Sequence, residues 1–241
     1  MVRESQAVRD GRAEMLYLDC FCGIAGDMLV GALLDLGGEG ARAALLAALG
    51  TLPLEGFSIR ISRASRAGLD CCDFDVALDA LHDGRDHDMG FLHGRGHGCD
   101  CDHGHGHEHG RGRDHGHAHR SLDDILRILD ASALSERARS LAAKTFGILA
   151  RAEAKAHGVA LEDVHFHEVG AVDSIVDIAA AAVLVDYLGI ERVCVPVLAD
   201  GQGTIRCQHG VIPVPAPATV NVCAAHGLPL ASRAIEGELV T

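Results

Sequence analysis

Residues 162–178 read Glu-Asp-Val-His-Phe-His-Glu-Val-Gly-Ala-Val-Asp-Ser-Ile-Val-Asp-Ile, and the rest of the chain is organised around this stretch. It places two histidines, two glutamates and three aspartates among residues that are typical of a buried segment. His165 and His167 are two positions apart, so both rings point to one face of an extended segment. Asp173 and Asp177 are four positions apart, so on a helix both carboxylates share a face. The stretch is therefore the first candidate for a functional site.

The helix predicted from Ser174 to Leu188 is apolar nearly all round, which is typical of a buried helix. Charged side chains at the N-terminus of a buried helix cost free energy unless they are paired with an opposite charge or a hydrogen-bond partner. A metal ion, a phosphate-bearing ligand held through a metal, or internal salt bridges would each provide that pairing. Alternatively, the carboxylates cap the helix N-terminus and the histidines are satisfied core residues. The sequence alone leaves these interpretations open.

A second candidate site lies at a predicted strand, glycine turn and helix near the N-terminus. Residues 15–18 form a short apolar strand, and apolar residues spaced three and four apart from Met28 predict a helix that ends at Gly37-Gly38. Such a unit places backbone N–H groups and a helix N-terminus beside a ligand. The candidate cofactor-binding residues of this turn are Asp19, Gly23, Gly26 and Asp27.

Two interpretations compete for the turn. Residues 19–26 loosely resemble the first motif of Rossmann-type methyltransferases, in which the turn binds the nucleoside of S-adenosylmethionine. Those enzymes carry an acidic residue at the end of a second strand about twenty residues on, whereas residues 41–49 of this chain predict an Ala/Leu helix. The other interpretation is a tight strand-to-helix turn with incidental aspartates and cysteines.

The composition changes abruptly between residues 82 and 119, where eleven of the sixteen histidines lie. A segment without apolar periodicity cannot offset its conformational entropy by packing, so we expect a disordered insert. Imidazole and thiolate groups suit nickel, zinc or copper. We interpret the insert as a metal reservoir or delivery arm, because a catalytic centre needs ligands at fixed geometry. Its candidate metal ligands are Cys99, Cys101, His103, His105, His107, His109, His115, His117 and His119.

The remaining chain predicts an α/β fold with a mixed or mainly parallel sheet flanked by helices. We expect residues 1–14 to be a disordered leader, and residues 15–81 and 120–241 to form one α/β domain. A Ser-x-x-Asp capping box at residues 121–124 predicts the start of a helix, and a second helix ends at His157-Gly158.

The C-terminal third predicts two strands and a helix. In order, the predicted elements are a buried strand at 192–198, a glycine loop at 199–204, a helix from near Pro217 and a strand at 235–241. Asp200 and His209 lie at or beyond the C-terminal end of a predicted strand, where ligands bind in open α/β sheets. Both are candidate cofactor-binding residues, and a plain connecting loop is the alternative.

The composition also bears on partners and compartment. A net charge of −13 argues against nucleic acid and against an anionic membrane surface. No run approaches the roughly 18 apolar residues of a membrane span. The nine cysteines are an odd number and the N-terminus shows no apolar signal region, so we expect free thiols in a reducing cytoplasm.

Four segments of the chain carry a family resemblance, and they are residues 18–28, 165–177, 209–219 and 236–239. In this order, and with a histidine-rich insert in the same place, they resemble the N-terminal region of the LarC family of nickel-insertion proteins. The resemblance covers residues 15–241.

The resemblance implies a nickel-inserting lyase that places Ni²⁺ in pyridinium-3,5-bisthiocarboxylic acid mononucleotide. This family forms two sulfur–nickel bonds and one carbon–nickel bond in a reaction that consumes CTP, for which Mn²⁺ or Mg²⁺ is the expected companion ion. Removal of the ring proton requires a base, and imidazole and carboxylate ligands can pass nickel to softer sulfur donors. We expect His165, His167 and Glu168 to be nickel ligands or the base. We expect Asp173 and Asp177 to be further ligands, or to contact the ligands and orient them.

Members of the family usually continue well past the position of Thr241. We therefore expect a C-terminal LarC half, fused or made separately, as a partner besides the dithiocarboxylate nucleotide, and we expect a homo-oligomer. The non-catalytic alternative is a nickel or zinc store or metallochaperone, which needs no organic partner.

Overall fold

The computed structural model describes residues 14–79, 120–166, 171–207 and 210–241. Residues 1–13 of the expected leader and the histidine-rich insert lie outside the described residues, and their predicted disorder stays a prediction. Glu14, the last residue of the expected leader, belongs to the first strand instead, because it pairs with Ile190. The helices are α1 (Gly26–Leu49), α2 (Leu122–Asp130), α3 (Glu136–His157), α4 (Val172–Tyr187) and α5 (Pro217–His226). The strands are β1 (Glu14–Tyr17), β2 (Phe57–Arg66), β3 (Leu69–Leu78), β4 (Arg120–Ser121), β5 (His165–Phe166), β6 (Ile190–Cys194), β7 (Leu198–Gln202), β8 (Thr204–Cys207), β9 (Gly210–Pro213) and β10 (Leu230–Glu236).

The helix boundaries follow local signals in the sequence. Gly38 has φ 65° and ψ −156° inside α1, so the two helical stretches expected on either side of it form one helix with a kink. At the start of α2, Ser121 Oγ accepts the Asp124 N–H at 3.2 Å and the Asp124 carboxylate accepts the Ser121 N–H at 3.0 Å. This is the predicted capping box. Helix α3 ends at His157 and is followed by Gly158, whose left-handed φ of 67° suits glycine.

Helix α4 lies at the centre of the main core. It packs against α1 and α3, and β3 packs against α1 and α4. Ile175, Val176 and Leu184 of α4 are 0% exposed. The prediction of a buried helix after the acidic stretch is therefore confirmed.

Parallel and antiparallel strand pairs occur together, which confirms the mixed α/β class. β1 pairs with β6 and β7 pairs with β10, both in parallel. A parallel bridge between Cys20 and Leu198 joins β7 to the chain leaving β1. β2–β3, β4–β5 and β8–β9 are antiparallel pairs. Because the strand after α1 pairs with β3 and not in parallel with β1, the described chain lacks the first βαβ unit of a Rossmann-type methyltransferase.

The C-terminal strands differ from the sequence prediction. The single strand expected at 192–198 is wrong, because β6 ends at Cys194 and β7 begins at Leu198. Pro196 lies between them and has no N–H to donate to a ladder. The glycine loop expected at 199–204 is also wrong, because residues 199–202 belong to β7. Glycine is found within β7 at position 201 because the backbone near Gly237 approaches closely there. A Cβ added to Gly201 would lie 1.9 Å from the Gly237 carbonyl oxygen.

The last predicted strand is shifted. β10 ends at Glu236, and the chain beyond it makes only an isolated parallel bridge from Val240 to Ile24. None of the described helices combines the length and the apolar character that crossing a membrane requires.

Candidate functional site

The N-terminus of α1 meets α4 at Gly26 and Asp177. A Cβ added to Gly26 would lie 2.7 Å from Asp177 Oδ2, so a larger residue at this position would force the carboxylate to move. The glycine predicted as a ligand-binding residue therefore brings the helix N-terminus against the acidic face of α4.

Asp177 has an electrostatic environment unlike that of an ordinary surface aspartate. Burial, together with the negative charges of Asp27, Asp173 and Asp75, raises its pKa from 3.8 to about 7. Its Oδ1 is buried and has no hydrogen-bond partner among the described residues. A buried, unpaired carboxylate oxygen is costly, so this group is suited to a bound proton or a bound cation.

The neighbouring carboxylates make only local hydrogen bonds. Asp27 accepts the Met28 N–H at 2.7 Å, and Asp173 accepts the Ser174 N–H at 2.7 Å. Neither carboxylate, nor that of Asp177, forms an ion pair with a described Lys, Arg or His. Internal salt bridges, one of the interpretations left open by the sequence, are thus absent from this part of the described chain.

Capping of the α4 N-terminus applies only to Asp173, whose carboxylate accepts the Ser174 N–H in the first turn. The residue that caps α4 is Ala171, and no side chain makes a cap hydrogen bond there. Asp177 lies more than one turn inside the helix, where backbone N–H groups are already paired with carbonyls of the preceding turn. Capping therefore does not account for Asp177.

The histidines of the acidic stretch are only partly described. His165 lies in β5 and its side chain is exposed. The strand pairs with β4, with Ser121 opposite His165 and Arg120 opposite Phe166. His167 and Glu168 lie in residues 167–170, outside the described residues, as do His209 and the candidate ligands at 99–119. Their expected roles stay predictions.

Within the described ranges, no three His, Cys, Asp or Glu side chains are arranged to hold a metal ion by themselves. Asp27, Asp173 and Asp177 influence each other electrostatically without forming such a group. A complete ligand set would therefore need residues beyond these carboxylates, and His167 and Glu168 follow directly after β5.

The glycine turn between β1 and α1 is tied to the C-terminal segment. Gly23 has φ 87°, and an added Cβ would lie 1.9 Å from the Leu239 carbonyl oxygen. That oxygen accepts the Ile24 N–H at 2.8 Å, and the Thr241 N–H donates to the Ile24 carbonyl at 3.1 Å. Asp19 remains exposed beside this turn and accepts the Phe21 N–H at 3.3 Å. Leu239, which ends the 236–239 segment of the family resemblance, and Thr241 thus hold the turn in place.

Asp200 lies on the other side of the same segment. It is 0% exposed, and its Oδ1 accepts the N–H groups of Leu239 at 2.8 Å and of Gly201 at 2.7 Å. Its Oδ2 is buried without a partner among the described residues. In this structure Asp200 holds the backbone of Leu239 and, through it, the glycine turn. Its predicted role in cofactor binding stays a prediction.

Sequence reasoning missed Asp75, whose charge also acts on Asp177. Acidic and apolar residues alternate in β3, which is typical of a half-solvated strand, and nothing in that pattern shows that β3 packs against α4. Asp75 also accepts a hydrogen bond from the exposed Arg60 at 2.7 Å.

The fold and this site define an α/β protein in which a carboxylate of one buried helix faces the N-terminus of another under the negative charge of neighbouring aspartates, an arrangement suited to handling a cation. A model of the nickel insertion protein family matches residues 16–241, and the chain therefore belongs to that family. The resemblance expected from the four sequence segments is confirmed.

Several curated relatives share this similarity. A pyridinium-3,5-bisthiocarboxylic acid mononucleotide nickel insertion protein of Alkaliphilus metalliredigens is 45% identical over 232 residues, which are 95% of this chain and 50% of that protein. The protein of the same name from Clostridium acetobutylicum is 45% identical over 228 residues, covering 94% of this chain and 53% of that protein. The one from Geobacillus kaustophilus is 40% identical over 229 residues, covering 95% and 48%. The chain thus spans about half the length of the curated relatives it matches. No solved structure matches the chain.

Proposed function

We propose that this protein inserts nickel into pyridinium-3,5-bisthiocarboxylic acid mononucleotide, the reaction that the names of its relatives state for those proteins. The observation that supports the proposal is the Asp177 carboxylate, which lies against the first residue of α1 and has no hydrogen-bond partner for Oδ1 among the described residues. The negative charges of Asp27, Asp173 and Asp75 act on Asp177, and this field favours a divalent cation over any anion.

Nickel is the substrate of this site and not a resident cofactor. We infer that Asp177 and Asp173 bind it together with His165 and His167, with Asp27 nearby. Imidazole nitrogen suits nickel, whereas carboxylate oxygen is a harder ligand that nickel exchanges readily for sulfur. This mixed set supports binding that is firm enough to load the metal and weak enough to release it.

The chemistry needs one base. Each thiocarboxylate sulfur donates a lone pair to nickel, and the ring carbon between them bonds to nickel as its C–H bond breaks. The proton of that bond goes to a protein base, for which we propose His167 or Glu168, beside the bound metal. The charge of the bound nickel stabilises the developing carbanion, because opposite charges attract strongly at short distance in a poorly solvated site.

Two further parts of the proposal rest on the family resemblance. CTP, with Mn²⁺ or Mg²⁺, is consumed in the reaction of the whole protein, and the half of the relatives that this chain does not span takes part in it. The histidine-rich residues 82–119 supply nickel. The oligomeric state stays a prediction.

Mass spectrometry of the nucleotide product tests the function. The chain is incubated with Ni²⁺, CTP, Mg²⁺ and the bisthiocarboxylate mononucleotide, with and without the remaining half of a full-length relative. We expect a product carrying one nickel, and loss of that product in the double variant His165→Ala, His167→Ala. Unchanged insertion by the double variant would rule out the assigned ligands.

A metal store is separated from an insertase by calorimetry with Ni²⁺ in the absence and presence of the nucleotide. An insertase releases or absorbs additional heat only when the nucleotide is present, and it yields the nickel-containing nucleotide. A chain that binds Ni²⁺ identically in both cases, and yields no nickel-containing nucleotide even with the second half, would be a store.

A further inference from the structure

Phe21 and Arg233 form a contact at the glycine turn that the proposed nickel chemistry does not use. The guanidinium carbon of Arg233 lies 3.7 Å from the centroid of the Phe21 ring. Phe21 is 57% exposed although it is a large apolar residue. A cation–π contact of this kind holds both side chains in place while the ring keeps an open surface.

Arg233 has unused hydrogen-bonding capacity. Among the described residues, its Nε is buried without a hydrogen-bond partner and no carboxylate forms an ion pair with its guanidinium group. The chain carries 34 acidic against 21 basic residues, so a positive side chain without an acidic partner is unexpected. Arginine offers five N–H donors in a plane, which match the oxygens of phosphate or carboxylate.

The fold places this pair beside the glycine turn. Phe21 directly follows Cys20, which bridges to Leu198 of β7, and β10 pairs in parallel with β7. The register of β10 shifts between Ser232 and Glu236, and Arg233 lies within that irregular part. Such irregularities redirect side chains at the edges of sheets, often next to binding sites.

Charge decides where an anionic ligand binds in this region. The N-terminus of α1 would ordinarily attract a phosphate, but Asp27 and Asp177 surround it with negative charge. Arg233 is therefore the better place for the anionic end of a ligand. A planar ring attached to that ligand can stack on Phe21, because aromatic faces bind heterocycles through stacking.

We propose that Phe21 and Arg233 bind the mononucleotide substrate, with its pyridinium ring on the open surface of Phe21 and its phosphate on the guanidinium group of Arg233. This assignment rests on the proposed function, because it takes the substrate to be a phosphorylated pyridinium nucleotide. It assigns nickel to the carboxylates at the start of α1 and the nucleotide to the Phe21–Arg233 pair at the turn that leads into α1, so that the ring can meet the metal.

Calorimetry with nicotinic acid mononucleotide tests the assignment without nickel chemistry. This probe has the pyridinium ring and the phosphate but no sulfur. Nicotinic acid riboside lacks the phosphate, ribose 5-phosphate lacks the ring, and CTP carries a different base. We expect the mononucleotide to bind more tightly than either fragment and than CTP.

The variants separate the two contacts. Arg233→Gln should weaken mononucleotide binding ~10- to 100-fold, since a charge-assisted contact is lost, and Arg233→Lys should lose less because it keeps the charge. Phe21→Leu should weaken binding ~5-fold or more through lost stacking, whereas Phe21→Tyr should bind nearly as the wild type. Arg127→Gln and Tyr187→Leu, changes of matched chemistry elsewhere on the surface, should have no effect.

Two results would overturn the assignment. One is equal affinity of Arg233→Gln, Arg127→Gln and the wild type, each with the same circular dichroism spectrum. The other is a wild type that binds CTP but not the mononucleotide. In either case, nickel insertion into the bisthiocarboxylate substrate is measured separately, so the assignment can fail while the proposed function stands.

Discussion

Replacing Asp177 by Asn changes stability in a way that depends on pH. The pKa of Asp177 is raised from 3.8 to about 7 by burial and by the neighbouring aspartates. The folded chain therefore holds a proton that the unfolded chain has released between about pH 4 and pH 7. Stability of the wild type falls as pH rises across this window, and the loss is complete above about pH 7.

The size of this loss follows from the shift in pKa. A difference of about three units corresponds to roughly 4 kcal/mol as an upper limit. Asp177 is only half-buried, and screening by solvent reduces this to about 2 kcal/mol. Asn carries no charge, so its free energy of unfolding should not depend on this titration. Relative to the wild type, the free energy of unfolding of Asp177→Asn should therefore rise by about 2 kcal/mol as the pH is raised from 4 to 8.

Urea unfolding followed by circular dichroism measures the effect, because the chain has no Trp for fluorescence. Glu55→Gln, which neutralises an exposed loop residue, is the control and should show no such pH dependence. At pH 8, Ni²⁺ at 100 times its Kd should stabilise the wild type by about 2.7 kcal/mol, and Asp177→Asn by less. If the difference in free energy of unfolding between Asp177→Asn and the wild type is the same from pH 4 to pH 8, the pKa of Asp177 is not raised by its surroundings.

Three further predictions concern the turn, a helix cap and the insert. Gly23→Ala should lower the free energy of unfolding in urea by about 2–4 kcal/mol, because its Cβ would overlap the Leu239 carbonyl. Gly68→Ala is the control, since Gly68 has a similar φ of 82° but nothing within 4 Å, and it should cost about 1 kcal/mol. Equal losses in the two variants would contradict this explanation. Ser121→Ala should cost about 1 kcal/mol in the same assay through loss of the α2 cap, and no change would show that the cap is replaceable. Deleting residues 82–119 should lower the nickel bound per chain in equilibrium dialysis while leaving insertion intact at high nickel, and complete loss of insertion would mean that the insert belongs to the centre itself.

Elements with strong local signals were predictable from the sequence. The capping box at Ser121, the left-handed Gly158 and the apolar surface of α4 each act over a few residues, and the structure confirms them. The acidic residues of α4 could also be placed on one face from their spacing alone.

Features that depend on distant pairing were not predictable. Residues 199–202 look like a loop because they contain Asp and Gly, but they form a buried strand whose Asp200 bonds to the backbone of Leu239. Asp75 reaches the site only because β3 packs against α4. These contacts join residues that are tens to more than one hundred positions apart, and no local pattern reports them.

We propose that nickel for insertion is held by the carboxylates where α1 meets α4. Anomalous X-ray scattering at the nickel edge, from crystals of the chain with bound Ni²⁺, would locate the metal. We expect nickel within ~2.5 Å of an Asp177 carboxylate oxygen, a distance typical of metal–ligand bonds. Nickel found only among residues 82–119, with none near Asp177, would contradict it.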